Sequence, residues 1–119
     1  MFEKNMRFAF LIDFYGEILD ENAREIMRAY YEDDLSLSEI AESVGISRQG
    51  VRNTIKLAEE QLAHLEEKLG LARRYSDTRE IAARLSQIRQ SIDERLGKDG
   101  SDIIDGILEI EKNLLNKGV

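Results

Sequence analysis

Apolar residues recur along this chain at helical spacing from one end to the other, and strand-like runs never exceed three or four residues. The first helical pattern spans about Phe2 to Leu19. Met6, Phe10, Phe14 and Ile18 repeat there every fourth residue, with Leu11 and Tyr15 beside them, and this wide face is expected to be core. Asp20 offers an N-cap to a second helix reaching about Tyr31, with Ala23, Ile26, Met27, Tyr30 and Tyr31 turned inward. Glu32-Asp33-Asp34 should then form a solvated loop, because three acids at a helix C-terminus oppose the macrodipole. Ser36-Leu37-Ser38-Glu39 has capping-box spacing and opens a short third helix that ends at Gly45. Ser47 caps a fourth helix, from about Arg48 to Leu69. Its Val51, Ile55, Ala58, Leu62, Leu65 and Leu69 are spaced 4, 3, 4, 3, 4, a heptad seam. Gly70 stops that helix, and Arg73 and Arg74 begin a connection ending near Ser76.

Two more helices follow from about Thr78. Ile81, Leu85, Ile88, Ile92 and Leu96 stripe the first, and Ile103, Ile107, Ile110 and Leu114 the second. The turn between them, Gly97 to Ser101, has Ser101 or Asp99 as its expected cap, and residues 116–119 are expected to fray. The chain has no proline, which suits long uninterrupted helices. The expected fold class is all-α. Its expected organisation is a domain over residues 1–75 and a C-terminal helical pair over residues 76–119, serving dimerisation or packing on the first part.

The most informative stretch is Leu37 to Arg52. Two helices crossing steeply through a short turn need a small residue where they touch, a glycine to make the turn, and an apolar anchor beneath the second helix. Ala41, Gly45 and Val51 supply these at the required offsets, with Ile40, Val44 and Ile46 expected to complete a small core. This is a helix-turn-helix unit, roughly Ser36 to Ile55. Its second helix then presents Ser47, Arg48, Gln49, Arg52 and Asn53 outward from the first turns, followed by Lys56. In DNA readers such positions reach base edges in the major groove, where Arg pairs with guanine and Gln or Asn with adenine. Beyond Lys56 the helix turns acidic, at Glu59, Glu60, Glu66 and Glu67. The bland alternative is a solvated face with ordinary i,i+4 pairs. Gly50, inside this helix, is there either for close approach to a backbone or because it is merely tolerated.

Charge sharpens the picture. The net charge of −7 argues against a generic electrostatic nucleic-acid binder. Residues 1–35 hold four basic and nine acidic side chains, whereas residues 36–75 hold six of each. The acidity thus lies at the front. Without cysteine there is no disulfide or thiolate-metal site. Charged residues interrupt the N-terminal segment before it reaches signal length, and no run approaches the ~20 apolar residues of a membrane span. The expected location is the cytoplasm, with no membrane insertion.

Catalysis and cofactors are not expected. The single histidine, His64, sits among glutamates on the fourth helix. Although Glu60 and His64 share i,i+4 spacing, no second ligand pair supports a metal. The glycines stand singly at helix ends rather than in a phosphate-binding loop.

Asp13-Phe14-Tyr15-Gly16, the block from Tyr30 to Glu42, and Gly45 to Val51 continuing through Ile55-Lys56 together resemble the YlxM family. These are small bacterial proteins similar to the last, helix-turn-helix domain of sigma factors, with genes beside that of the signal recognition particle GTPase. The resemblance covers about residues 6–75. It implies a sigma-like fold and a regulatory or accessory role in the signal recognition particle pathway, and by position it gives Ser47, Arg48, Gln49, Arg52 and Asn53 the recognition role.

Two functions stay open. The first is a DNA-binding regulator, with RNA as a second ligand. It would act as a homodimer held mainly from about Leu62 onward, since the seam and the last two stripes exceed what a lone helix-turn-helix must cover. The second is a protein-binding module that docks on the signal recognition particle protein through the acidic loop tip, Asp33 and Asp34.

Overall fold

The structure, a computed structural model, describes residues 4–117. All regular structure among them is helical: α1 (Arg7–Tyr15), α2 (Glu21–Tyr31), α3 (Leu37–Val44), α4 (Arg48–Leu69), α5 (Leu71–Leu96) and α6 (Ser101–Lys117), with short 3-10 turns at Gly16–Ile18 and Gly97–Gly100. The chain divides into two compact units, Met1–Ala72 and Arg73–Val119.

The first unit is built on α4, against which α1, α2 and α3 all pack. The predicted caps are in place. Asp20 Oδ1 accepts from the Ala23 N–H at 2.8 Å. The Ser36 Oγ and Glu39 carboxylate exchange the two bonds of a capping box, each 3.1 Å. The α4 seam is consumed inside this unit: Val51, Ile55, Ala58 and Leu62 are buried against Ile26, Met27, Tyr30, Tyr31 and Ile40. Leu62 is 0% exposed, so the start of the surface reserved for a second copy belongs to the chain's own core, and Leu69 at the far end is exposed.

The inner face of α1 keeps Leu11 and Tyr15 of the expected face but not its every-fourth-residue stripe. Met6, Phe10 and Ile18 are exposed and Phe14 is half-buried, while Leu11, Ile12, Tyr15 and Leu19 are buried. The reason is geometric. At 3.6 residues per turn a strict every-fourth-residue series drifts by about 40° per step. Met6, Phe10 and Phe14 therefore wind around the helix instead of tracking one neighbour, and Ile18 falls in the 3-10 turn. The alternation through Phe8, Leu11, Ile12, Tyr15 and Leu19 stays on one side.

The connection expected at Arg73 to Ser76 does not exist as a loop. Gly70, at φ +63°, ends α4 and α5 begins at the next residue. A helix start normally leaves amide groups unpaired. Here the Leu71 N–H donates to Tyr15 Oη at 3.0 Å and the Ala72 N–H to Glu66 Oε1 at 3.0 Å. With its first amides satisfied by α1 and α4, α5 needs no linker.

The second unit is a two-helix hairpin. A 3-10 turn runs directly into α6, with the Ser101 N–H donating to Lys98 O. Ser101 is itself helical, at φ −60° and ψ −39°, and so is not the N-cap expected of it. A Cβ on Gly100 would lie 2.8 Å from Ile92 Cγ2, so only glycine closes this turn as tightly. Arg89 Nε and Glu111 Oε1, 3.1 Å apart, join the two helices.

Candidate nucleic-acid interface

The helix-turn-helix begins with the capping box at Ser36 and ends its first helix at Gly45, which is left-handed at φ +82°. The Gly45 and Ile46 N–H groups both donate to Ala41 O, at 2.9 and 3.2 Å, closing the turn tightly enough to start α4 two residues later. Ile40 and Val51, 1% and 0% exposed, form the buried contact below it. Val44 and Ile46, expected in that core, are exposed instead: a three-residue turn leaves too little depth to cover side chains at its rim.

Ser47 is the N-cap of α4, its Oγ accepting from the Gly50 N–H at 2.9 Å. The hydroxyl therefore serves the helix first, leaving its proton and one lone pair for a ligand. A Cβ on Gly50 would lie 3.2 Å from that same Oγ and 3.5 Å from Ile46 Cδ1. Crowding by the cap explains the glycine with no outside backbone involved.

With Val51 and Ile55 inward, Arg48, Gln49, Arg52, Asn53 and Lys56 are all exposed on the outer side of α4. Gln49 Nε2 donates to Asn53 Oδ1 at 3.0 Å, so these two amides form a coupled pair with further donors and acceptors to offer. Arg48, Arg52 and Lys56 stand at i, i+4 and i+8, a column of like charge. Such neighbours destabilise a helix by about 0.2–0.5 kcal/mol per pair. They also crowd the helix end where the macrodipole is already positive, and no acid lies in the first turn of α4. An anion arriving there would meet exposed cations and the positive helix end together.

The acids of the loop tip are placed differently from one another. Asp34 lies 2.7 Å from Lys4 Nζ, which holds its carboxyl below the usual range, and it adopts φ +55°. Lys4 also donates to Tyr30 O at 2.7 Å and sits 4.4 Å above the Tyr30 ring. Asp34 thus links Lys4 to the loop, and both Asp33 and Asp34 are exposed.

Sequence reasoning missed the use made of the acidic end of α4. Tyr31 Oη donates to Glu59 Oε1 at 2.8 Å and Tyr15 Oη to Glu66 Oε1 at 2.7 Å. Burial, reinforced by the facing carboxylates, pushes both phenols up. Burial likewise raises the Glu59 carboxyl, against the lowering effect of the Tyr31 bond. The available signal was that a tyrosine on an inward stripe must find a partner for its hydroxyl. His64 is exposed, and among the described residues no three His, Asp or Glu side chains gather as a metal site. Among them too, no helix is long and apolar enough to cross a membrane.

Residues 2–103 match the family model described as "Putative helix-turn-helix protein, YlxM / p13 like". The chain belongs to this family, UPF0122. A UPF0122 protein of Geobacillus kaustophilus is 46% identical over 99 residues, covering 83% of this chain and 87% of the relative. One from Bacillus cereus is 37% identical over 111 residues, covering 93% of this chain and all of its own length. The UPF0122 match takes in the whole helix-turn-helix together with α5, so the motif built above from caps and turn geometry is the one for which the family is described.

Proposed function

We propose that this UPF0122 protein is a non-catalytic cytoplasmic regulator that binds nucleic acid, DNA before RNA. Ser47, Arg48, Gln49, Arg52, Asn53 and Lys56 make the contact, in a homodimer that brings two recognition helices to one duplex. The observation that carries this reading is that Arg48, Arg52 and Lys56 are exposed together at the positive end of α4, where phosphate is attracted. The coupled Gln49–Asn53 amides between those cations offer the donor and acceptor pattern that reads a base edge. The resemblance to sigma-factor domains and the gene neighbourhood of the family support a role in the signal recognition particle pathway.

The test is fluorescence anisotropy of the purified chain with its own promoter DNA, random duplex and the signal recognition particle RNA. Three cations per copy predict a slope of log affinity on log salt near about −3 for one copy and about −5 for two. Arg48→Glu with Arg52→Glu should abolish binding. Equal weak binding to all three ligands, retained in that variant, refutes the reading. It would favour the alternative, a docking module for the signal recognition particle protein that uses the acidic loop tip. Because Asp34 already pairs with Lys4, that alternative depends chiefly on Asp33, and Asp33→Lys is its decisive variant.

A further inference from the structure

The α5–α6 hairpin lacks what the first unit has, a buried apolar core. Beyond Ala72, which belongs to the core of the first unit, Ala82 is its one buried hydrophobic residue among those described, although both helices carry long stripes of Ile and Leu. Leu85, Ile92, Ile107 and Leu114 are half-buried. Ile81, Ile88, Ile103 and Ile110 are each about half exposed, at 50–51%. The spacing 81, 85, 88, 92 and 103, 107, 110, 114 is a 4-3-4 heptad on both helices. Leu85, Ile92, Ile107 and Leu114 are the more covered half of each seam, and Ile81, Ile88, Ile103 and Ile110 are the open half. In an antiparallel pair that meets along the first half, both open halves fall on the same side. The Arg89–Glu111 bond sets Ile88 and Ile110 at the same height there. Two helices with half-covered heptad seams are half of a four-helix bundle.

Gly106 points the same way. It sits in the middle of α6, on the side of Ile103 and Ile110 and between them, and a Cβ there would meet nothing within 4 Å. A glycine inside an exposed helix costs helix stability with no return from crowding, unlike Gly50 or Gly100. What it provides is a notch in an apolar face, flanked by an isoleucine on each side.

We infer that this face docks the same face of a second copy of the chain, α5 of each lying against α6 of the other, with the notch at Gly106 receiving an apolar side chain of the opposing α5. The inference rests on the homodimeric reading above and names its surface. Charge selects the partner and the pairing. α5 carries six arginines against four acids, and α6 four acids against two lysines, so unlike helices attract across the interface and like helices repel. Size agrees as well. α6 is about 26 Å long and two adjacent helices are about 20 Å wide, a projected face of about 500 Å², the same order as the ~800 Å² per partner of a standard interface. A two-fold pairing uses the same patch on both copies and closes without leaving a free apolar edge.

Sedimentation velocity and equilibrium on the full chain at tens of micromolar test this, with far-UV circular dichroism on each variant. The parent should sediment at twice the chain mass. Ile88→Lys with Ile110→Lys should sediment as a single chain with unchanged helicity. Gly106→Ala should weaken self-association by about tenfold or more while keeping full helicity. A monomeric parent would overturn both this inference and the homodimeric reading. A dimeric parent whose lysine variant still dimerises overturns the surface alone and leaves the homodimer standing. If the lysine variant loses helicity, Gly106→Ala decides, because alanine favours the helix: weaker association supports the surface, and unchanged association refutes it.

Discussion

Tyr15→Phe is the substitution that most directly tests how α4 hands over to α5. The ring is 1% exposed, so phenylalanine fills the same space and leaves no cavity. Only the hydroxyl is lost. With it goes a 2.7 Å bond donated to the Glu66 carboxylate and a 3.0 Å bond accepted from the Leu71 N–H, one of the first amides of α5. A hydrogen bond to a charged acceptor contributes about 1.5–3 kcal/mol, and a stranded amide costs about 1–3 kcal/mol when water is kept from it. Glu66 and Leu71 are only half-buried, so water recovers part of both losses. The net expectation is about 2 kcal/mol, or about 8 °C in a thermal melt for a chain of this size. Urea melts followed by circular dichroism give the energy, and amide hydrogen exchange gives the location. Protection should fall first at Leu71 and Ala72. Glu66→Gln retains an oxygen acceptor for both the Tyr15 O–H and the Ala72 N–H and should cost less. If Tyr15→Phe melts within about 0.5 kcal/mol of the parent, with Leu71 and Ala72 equally protected, the hydroxyl is not what secures the junction.

Three further outcomes follow from the same geometry. Burial raises the Glu59 carboxyl above its ordinary 4.5, so the folded state holds that proton more tightly than the unfolded chain does; this group's contribution to stability should fall as pH rises from 4.5 through the folded value. Glu59→Gln, which can still accept from Tyr31, should remove that slope and match or exceed the parent at neutral pH in urea melts run across the range. Gly45→Ala forces a side chain into φ +82° and should cost about 1–2 kcal/mol, measured the same way, with nucleic-acid affinity falling because the turn aims α4. Leu11→Ala should cost about 2–5 kcal/mol, whereas Ile18→Ala, two turns further along and 53% exposed, should cost well under 1 kcal/mol; equal losses would restore the every-fourth-residue face as the core.

What could be read in the sequence was whatever depends on near neighbours. The caps at Asp20, Ser36 and Ser47 and the left-handed glycines at positions 45 and 70 each need only three or four residues of context, and all stand where the pattern put them. The helix-turn-helix was legible for the same reason. The outward set on α4 followed from helical phase alone, once Val51 and Ile55 were assigned inward. What could not be read depends on contacts distant in sequence. The Tyr15–Glu66 bond spans 51 residues and the Tyr31–Glu59 bond 28, and without them Glu59 and Glu66 look like any solvated acids. The loop expected after Gly70 was inferred from a glycine and two arginines. The acceptors that let a helix restart at once lie on Tyr15 and Glu66, out of local view. On α1, too, helical drift carries the every-fourth-residue aromatic stripe away from the inner face.

These distant bonds bear on function because α4 is at once the spine of the first unit and the proposed recognition helix. Its basic end is exposed and its acidic end is tied down: Glu59 is held from α2 by Tyr31 and Glu66 from α1 by Tyr15. Of these two acids only Glu59 lies within reach of the cations, three residues from Lys56, and a Glu59 freed from Tyr31 could pair with it. The Tyr31 bond engages Glu59 from α2 instead, while Glu66 lies ten residues from Lys56. The polarity of α4 is written in its sequence, and the fold adds to it by occupying Glu59 with Tyr31. Breaking either tyrosine bond should weaken nucleic-acid binding only through α4's stability, and charge reversal at Arg48 and Arg52 should abolish binding with the melt unchanged or improved. That separation of the two effects is what a recognition helix mounted on a structural spine must show, and a decorative basic patch would not.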